Sequence, residues 1–191
     1  MMVADRSSVD REERTAMPHF PFLQRGDGIS VVYRHDADVW DPFVAFTHRL
    51  MRGPGDLGVA ERELVATYTS ALNACRYCTG AHGATAAALG YSSELLEALV
   101  ADLEAAPIDE RLRALLRLVR LVTLTPSRIA PDDVAAPQAA GWSEAAVRHA
   151  IAISARYGMV NRLALAHGID VDAEELERVG RRMAEWPLEE A

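Results

Sequence analysis

The sequence predicts one all-α domain, and three observations carry that expectation. Half of the 191 residues are hydrophobic and only 6% are aromatic, with the strong helix formers alanine and leucine dominating the apolar positions. Those positions return every three or four residues through most of the chain, the period of a helix with one buried face. Glycine, proline and capping residues punctuate the pattern, yet no fixed-period repeat, low-complexity tract or domain linker interrupts it. The expectation is therefore six to eight helices around one core over residues 19–191, preceded by a polar, aperiodic tail over 1–18 that is disordered or loosely attached.

Each element has its own signal. Pro18, Pro21, Gly26 and Gly28 break any period at the start, and Ile29 to Tyr33 reads as a short strand with no evident partner. Asp36 or Asp38 can cap a helix through VWDPFVAFTHRLMR, which stops at Gly53-Pro54-Gly55. Leu64, Val65, Tyr68, Ala71 and Leu72 mark an amphipathic helix from Val59 to about Asn73. The next begins near the cysteines and ends at Leu89-Gly90, glycine being favoured just past a helix end. Ser92 or Ser93 caps SELLEALVADLEAA, closed by Pro107. Asp109 starts DERLRALLRLVRLVTLT before Pro126, and a short helix runs from Pro131 to Ala139. Ser143 opens a long helix, apolar on two sides, that ends at Gly168. AEELERVGRRMAEW forms the last one.

Twenty basic against 28 acidic residues give a formal net charge of -8, which argues against a nucleic-acid ligand in the absence of a basic patch. The arginines at 111, 113, 117 and 120 fit a solvated or interface helix face. No apolar run approaches a membrane span, and the first residues are too charged for a secretory signal, so a cytoplasmic, membrane-free protein is expected. In that reducing compartment the chain's two cysteines suit a catalytic, redox or metal-binding role better than a structural disulfide.

They stand as Cys75-Arg76-Tyr77-Cys78, with His82 four residues beyond. If a helix begins near Cys75, Cys78 and His82 lie one turn apart on the same face, where the imidazole can take the thiol proton. The helix start also favours thiolate through its unpaired N–H groups. If the helices flanking Asn73 fold back as an antiparallel hairpin, residues equidistant from the turn face each other. Glu63 then meets His82, and a carboxylate, imidazole and thiol relay results.

The stretch ERELVATYTSALNACRYCTGAHGATAAALG resembles the core of the alkylhydroperoxidase D and carboxymuconolactone decarboxylase-like superfamily. Its redox-active members share glutamate, eleven residues, C-x-x-C, three residues, histidine, which Glu63, Cys75, Cys78 and His82 match. The wording of the motif and the later NRLALAHGI are most similar to the uncharacterised peroxidase-related group. The resemblance implies an all-α domain whose central helical hairpin carries the CxxC, assembled as a homo-oligomer (dimer, trimer or hexamer). It also implies a thiol-dependent peroxidase reducing small hydroperoxides, with no tightly bound cofactor and an external dithiol reductant of lipoyl or thioredoxin type. Carried over position by position, Cys78 is the peroxidatic cysteine, Cys75 the resolving one, and His82 with Glu63 the proton relay. Alkylhydroperoxidase D proper has a second histidine between the cysteines, where this chain has Tyr77, too weak an acid to shuttle protons as readily at neutral pH.

Three other readings compete. The cysteines can be two buried thiols in a helical core. Two thiolates, His82 and Glu63 also number four zinc ligands, although structural zinc sites usually draw on a second Cys or His pair and the chain has no further cysteine. A carboxymuconolactone decarboxylase-like enzyme, or a non-redox helical assembly protein, is the third, and decarboxylases of that family generally lack the cysteine pair. Elsewhere, Tyr68 and Tyr77 read as packing residues, Ser70 and Asn73 as servants of the helix end and turn. His19, His35, His48 and His167 read as ordinary surface or core side chains, whereas His149 and Asn161 on the long helix can line a pocket. The two-sided apolar character of residues 143–168 independently predicts self-association.

Overall fold

The computed structural model describes residues 17–188; the tail expected over 1–18 lies outside them except for Met17 and Pro18. The described residues form α1 (Ile29–His35), α2 (Ala37–Arg52), α3 (Val59–Leu72), α4 (Arg76–Ala88), α5 (Ser93–Ala101), α6 (Glu110–Leu124), a 3-10 turn (Pro126–Arg128), α7 (Pro131–Ala139), α8 (Glu144–His167) and α9 (Ala173–Ala184). All-α architecture is thus observed, with nine α-helices among the described residues where six to eight were expected.

The ninth arises where a strand was expected. Ile29 to Tyr33 is helical because among the described residues no strand lies beside it to complete a ladder, while a helix buries Val32 and satisfies its own backbone. Tertiary context overrides the local preference of the β-branched residues. Two further boundaries differ. The segment after Ala101 leaves the helix at Asp102, and the Arg113 side chain instead collects the carbonyls of Leu103, Glu104, Ala106 and Ile108. The last helix stops at Ala184, short of Trp186. Ser92, Asp109, Ser143 and Asp172 each accept a backbone N–H from three residues on, which fixes the starts of α5, α6, α8 and α9. At α2, Asp36 holds the cap position without a side-chain bond.

α3 is the axis of the fold: every residue from Arg62 to Ser70 is buried. One side of it faces a core that includes Leu64, Leu115, Leu116, Trp142 and Ile153, built with α5, α6 and α8. Trp142 is held there by its indole N–H, which donates to the Arg111 carbonyl (2.7 Å). Antiparallel to α3 runs α4, which carries a second apolar cluster of Leu23, Val32, Ala81, Val160, Ile169 and Leu176 around the cysteines. α9 closes over α4 at two glycines. A Cβ at Gly180 would stand 2.7 Å from the Ala84 carbonyl carbon, and one at Gly80 would strike Leu176, so the two helices approach more closely than any side chain at these positions permits.

This close crossing gives a test. Gly180→Ala must push α9 off α4, because the obstruction is backbone and cannot rotate away; overpacking of this kind costs about 1–3 kcal/mol. Thermal unfolding should show a fall of several degrees in Tm, whereas Gly90→Ala, which meets no neighbour, should answer only to its positive φ.

Candidate active site

The turn between α3 and α4 places the cysteines. Asn73 and Ala74 close α3 through N–H bonds to the Thr69 and Ala71 carbonyls, and the Cys75 N–H then reaches back to the Ser70 carbonyl (3.0 Å). Ala74 has φ of 53°, a left-handed conformation that costs a non-glycine residue of order 1 kcal/mol. The strain lies in the residue that aims Cys75. Cys75 becomes the cap residue of α4 and Cys78 falls in its first turn, so both sulfurs stand at a helix N-terminus. Both are free thiols and both are buried.

The hairpin also joins Glu63 to His82. Glu63 Oε2 lies 2.6 Å from His82 Nδ1, and Glu63 Oε1 accepts from Arg52 Nη1 at 2.7 Å. Arg52 also donates from Nη1 to the Met51 carbonyl and from Nη2 to the Met183 carbonyl at the end of α9 (2.7 Å), while its Nε is buried without a partner. Burial would raise the Glu63 pKa, but His82 and Arg52 together outweigh it and hold the carboxyl below its usual range. With Nδ1 committed to the carboxylate, Nε2 is the nitrogen left to exchange protons. The Tyr157 ring stands edge-on to the imidazole, 4.4 Å between centroids.

Asn161 on α8 sits behind the sulfurs. Its amide donates to Ser70 Oγ (3.0 Å), its carbonyl accepts from Asn73 Nδ2 (2.9 Å), and its side chain lies near enough to both cysteines to favour their thiolates. Cys75 is pulled down to about 7 by the hydrogen bond from the Cys78 thiol, despite its burial, with Asn161 adding to the effect. The same bond, with burial and the neighbouring Cys75 charge, pushes Cys78 well above the ordinary thiol value. The dithiol therefore gives up one proton near neutrality and retains the second.

A cavity of about 870 Å³ opens onto this site, lined among others by Tyr33, Tyr77, Cys78, His82, Arg156 and Tyr157. Cys75 and Glu63 are not part of its wall. The Tyr77 hydroxyl accepts the Ile29 N–H (3.3 Å), and burial pushes its pKa up to about 12. A Cβ at Gly28 would sit 2.8 Å from that hydroxyl, so the glycine makes room for the tyrosine.

Of the four residues singled out by the motif, Glu63 and His82 thus bond each other across the hairpin, Cys75 and Cys78 interact beside its turn, and Cys78 and His82 share the cavity wall. Among the described residues no three His, Cys, Asp or Glu side chains are disposed to hold a metal ion, and both Glu63 oxygens are already bonded to Arg52 and His82. His149 does not reach the cavity wall; its ring bonds the Leu50 carbonyl beside Arg62. Asn161 supports the sulfurs from behind rather than lining the pocket. Arg52, Arg156 and Tyr33 carry no sequence signal, because nothing in local spacing marks an arginine or tyrosine that turns inward. Only the strongly apolar company of Arg156 on α8 offered a cue.

An all-α domain with a dithiol, an imidazole and a carboxylate around a helical hairpin defines a class of protein, and comparison with known proteins agrees. The carboxymuconolactone decarboxylase family matches residues 37–121, which include all four site residues. A structure of an uncharacterized peroxidase-related protein with an alkylhydroperoxidase AhpD core, from Ralstonia eutropha, is 28% identical, with a TM-score of 0.72 over 79% of each chain. A peroxidase-related protein from a Silicibacter species is 29% identical, with a TM-score of 0.71 over 75% of each chain. No curated protein matches the sequence. In sequence, fold and site residues the chain is thus similar to the alkylhydroperoxidase D and carboxymuconolactone decarboxylase-like superfamily.

The shared proton has a direct readout. Alkylation of the reduced protein by iodoacetamide should rise with pH around a midpoint of about 7. Cys78→Ala, which removes the thiol that donates to Cys75, should move the midpoint of the remaining thiol up toward the ordinary cysteine value. An unmoved midpoint would show that the two sulfurs do not share the proton.

Proposed function

We propose that this protein is a thiol-dependent peroxidase that reduces small hydroperoxides through a Cys75–Cys78 dithiol and disulfide cycle. The observation that carries the reading is the division of the site by the cavity wall: Cys78 and His82 face the cavity, while Cys75 and Glu63 stand behind them. One sulfur is open to substrate and the other is held within reach of it.

In the resting dithiol one negative charge is shared along the S–H···S bond. Passage of that proton to Cys75 leaves the thiolate on Cys78, the sulfur that substrate can reach. The Cys78 thiolate attacks the distal oxygen of ROOH; an S–O bond forms as the O–O bond breaks, and His82 in its charged form supplies the proton that turns the departing alkoxide into ROH. Glu63 stabilises the charged imidazole and fixes its orientation. Cys75 then attacks the Cys78 sulfenic acid, forming the disulfide and releasing water. An external dithiol, of lipoyl or thioredoxin type, restores both thiols and leaves as its own disulfide. The protein needs no tightly bound cofactor for this cycle.

Tyr77, placed where alkylhydroperoxidase D proper has a histidine, takes no part in proton transfer on this reading. Its hydroxyl is held by the Ile29 N–H and stays protonated far above neutrality, so His82 carries the relay alone. Assembly of identical subunits as a dimer, trimer or hexamer belongs to the same proposal. Its support is the exposed apolar surface of Val39 and Phe46 on α2 and of Met159 and Leu165 on α8. Among the described residues no helix is long and apolar enough to cross a membrane.

The cysteines have distinct jobs here, and single replacements separate them. Cys78→Ser should abolish peroxide consumption. Cys75→Ser should consume one equivalent and stop at the sulfenic acid, detectable by mass as one added oxygen. Full turnover in both variants would sink the mechanism.

A further inference from the structure

Arg156 is an unusual lining for a cavity. It projects from α8, is only 9% exposed, and presents its guanidinium to the same space as Cys78 and His82. Its Nε donates to Thr47 Oγ1 (3.1 Å), and its plane lies against Tyr157 (4.2 Å to the ring centroid) and Phe43 (5.2 Å). No carboxylate among the described residues forms an ion pair with it. A buried cation without a counter-ion is costly, and stacking on two aromatic faces offsets only part of that cost.

Beside it lies a second incomplete group. Tyr33 lines the same cavity, and its hydroxyl is buried with no hydrogen-bond partner. Tyr33 packs on Phe43, 5.9 Å between centroids, and Phe43 is one of the two rings that carry Arg156. A cation and an orphaned hydroxyl donor therefore share one end of the cavity. The three acidic residues of the wall do not complete them: Glu175 is engaged by Arg178 and Arg182, Asp27 by the Gln24 N–H, and Asp41 forms neither an ion pair with Arg156 nor a hydrogen bond with the Tyr33 hydroxyl. Ile29, Val44, Val160 and Val179 supply apolar wall between these donors and the solvent.

We propose that Arg156 and Tyr33 form a carboxylate-binding subsite, and that the preferred substrates are apolar hydroperoxides carrying a carboxylate, such as hydroperoxy fatty or aryl acids. The guanidinium supplies the charge and Tyr33 a second donor, and the pair anchors the acid end while the chain lies on the apolar wall. A charge-assisted bond of this kind pairs two groups that the empty cavity leaves unpaired. The subsite assigns substrate class to the peroxidase reading above and rests on that reading for the hydroperoxide end only.

Calorimetry with unreactive probes tests the anion site apart from the chemistry. Decanoate should bind the protein at least about tenfold more tightly than decanol, a difference of the size expected for one charged hydrogen bond. Arg156→Met should erase that preference, Arg156→Lys should retain part of it, and Tyr33→Phe should weaken decanoate binding severalfold. Equal affinity for the two probes, or a preference that survives in Arg156→Met, would overturn the proposal. In turnover, Arg156→Met should lower kcat/KM for a hydroperoxy acid at least about tenfold more than for its methyl ester. Equal losses would instead show Arg156 acting on the Cys78 thiolate and would also overturn it. A wild-type protein that prefers decanoate but consumes no hydroperoxide would sink the peroxidase reading and leave the subsite standing.

Discussion

The rest of the site depends on one buried ion chain, Arg52 to Glu63 to His82. A carboxylate in the middle of the most buried helix of the fold is tolerable only because both of its oxygens are bonded, one to a guanidinium and one to an imidazole. The guanidinium is in turn tied to the end of α9 through the Met183 carbonyl. The helix that closes the cavity is thus anchored by the same chain that orients the imidazole, so α2, α3, α4 and α9 are positioned by one set of bonds. The Glu63 pKa is lower in the folded chain than in the unfolded one. Its ion chain therefore stabilises the fold at pH values above the ordinary carboxyl range, and that stabilisation is lost as pH falls through the folded value.

The dithiol is organised by a different principle. Asn161 gathers Ser70, Asn73 and both cysteines into one network, and the left-handed Ala74 aims the first sulfur into it. Polar networks of this sort fix geometry when every member is satisfied. The geometry fixed here is asymmetric, one sulfur at the cavity and one behind it. Two chemically identical side chains can then do different things. The resting charge favours Cys75 while access favours Cys78, so in the proposed cycle reactivity depends on a proton moving between sulfurs and not on a permanently activated thiolate.

Much of this was legible in the sequence because it is local. Helix caps, the CxxC at a helix start and the one-turn spacing of Cys78 and His82 depend on neighbours within a few residues. Even the meeting of Glu63 and His82 followed from reflecting the chain about Asn73, once a tight hairpin was assumed. What escaped was long-range. Arg52 pairs with a residue on the next helix and with the far end of the chain, and Arg113 stops α5 by gathering carbonyls from a loop that reads as helix. α1 reads as a strand because its β-branched residues favour one locally, whereas among the described residues no partner strand exists to complete it. Arg156 and Tyr33 are functional candidates only through what they lack, a counter-ion and a hydrogen-bond partner, and a lack of partners is visible only in three dimensions.

In the proposed peroxidase cycle the buried carboxylate acts on the peroxide chemistry through His82. That action is tested most directly by the second-order rate at which a hydroperoxide converts the reduced dithiol to disulfide, followed by loss of two thiols per chain. Glu63→Gln keeps the shape and a hydrogen-bonding side chain but removes the charge that stabilises protonated His82. The account predicts a rate lower by about a hundredfold or more, the usual scale for losing general acid catalysis, with the two-thiol stoichiometry preserved. An unchanged rate, or a wild-type protein whose thiols survive the peroxide, would contradict it.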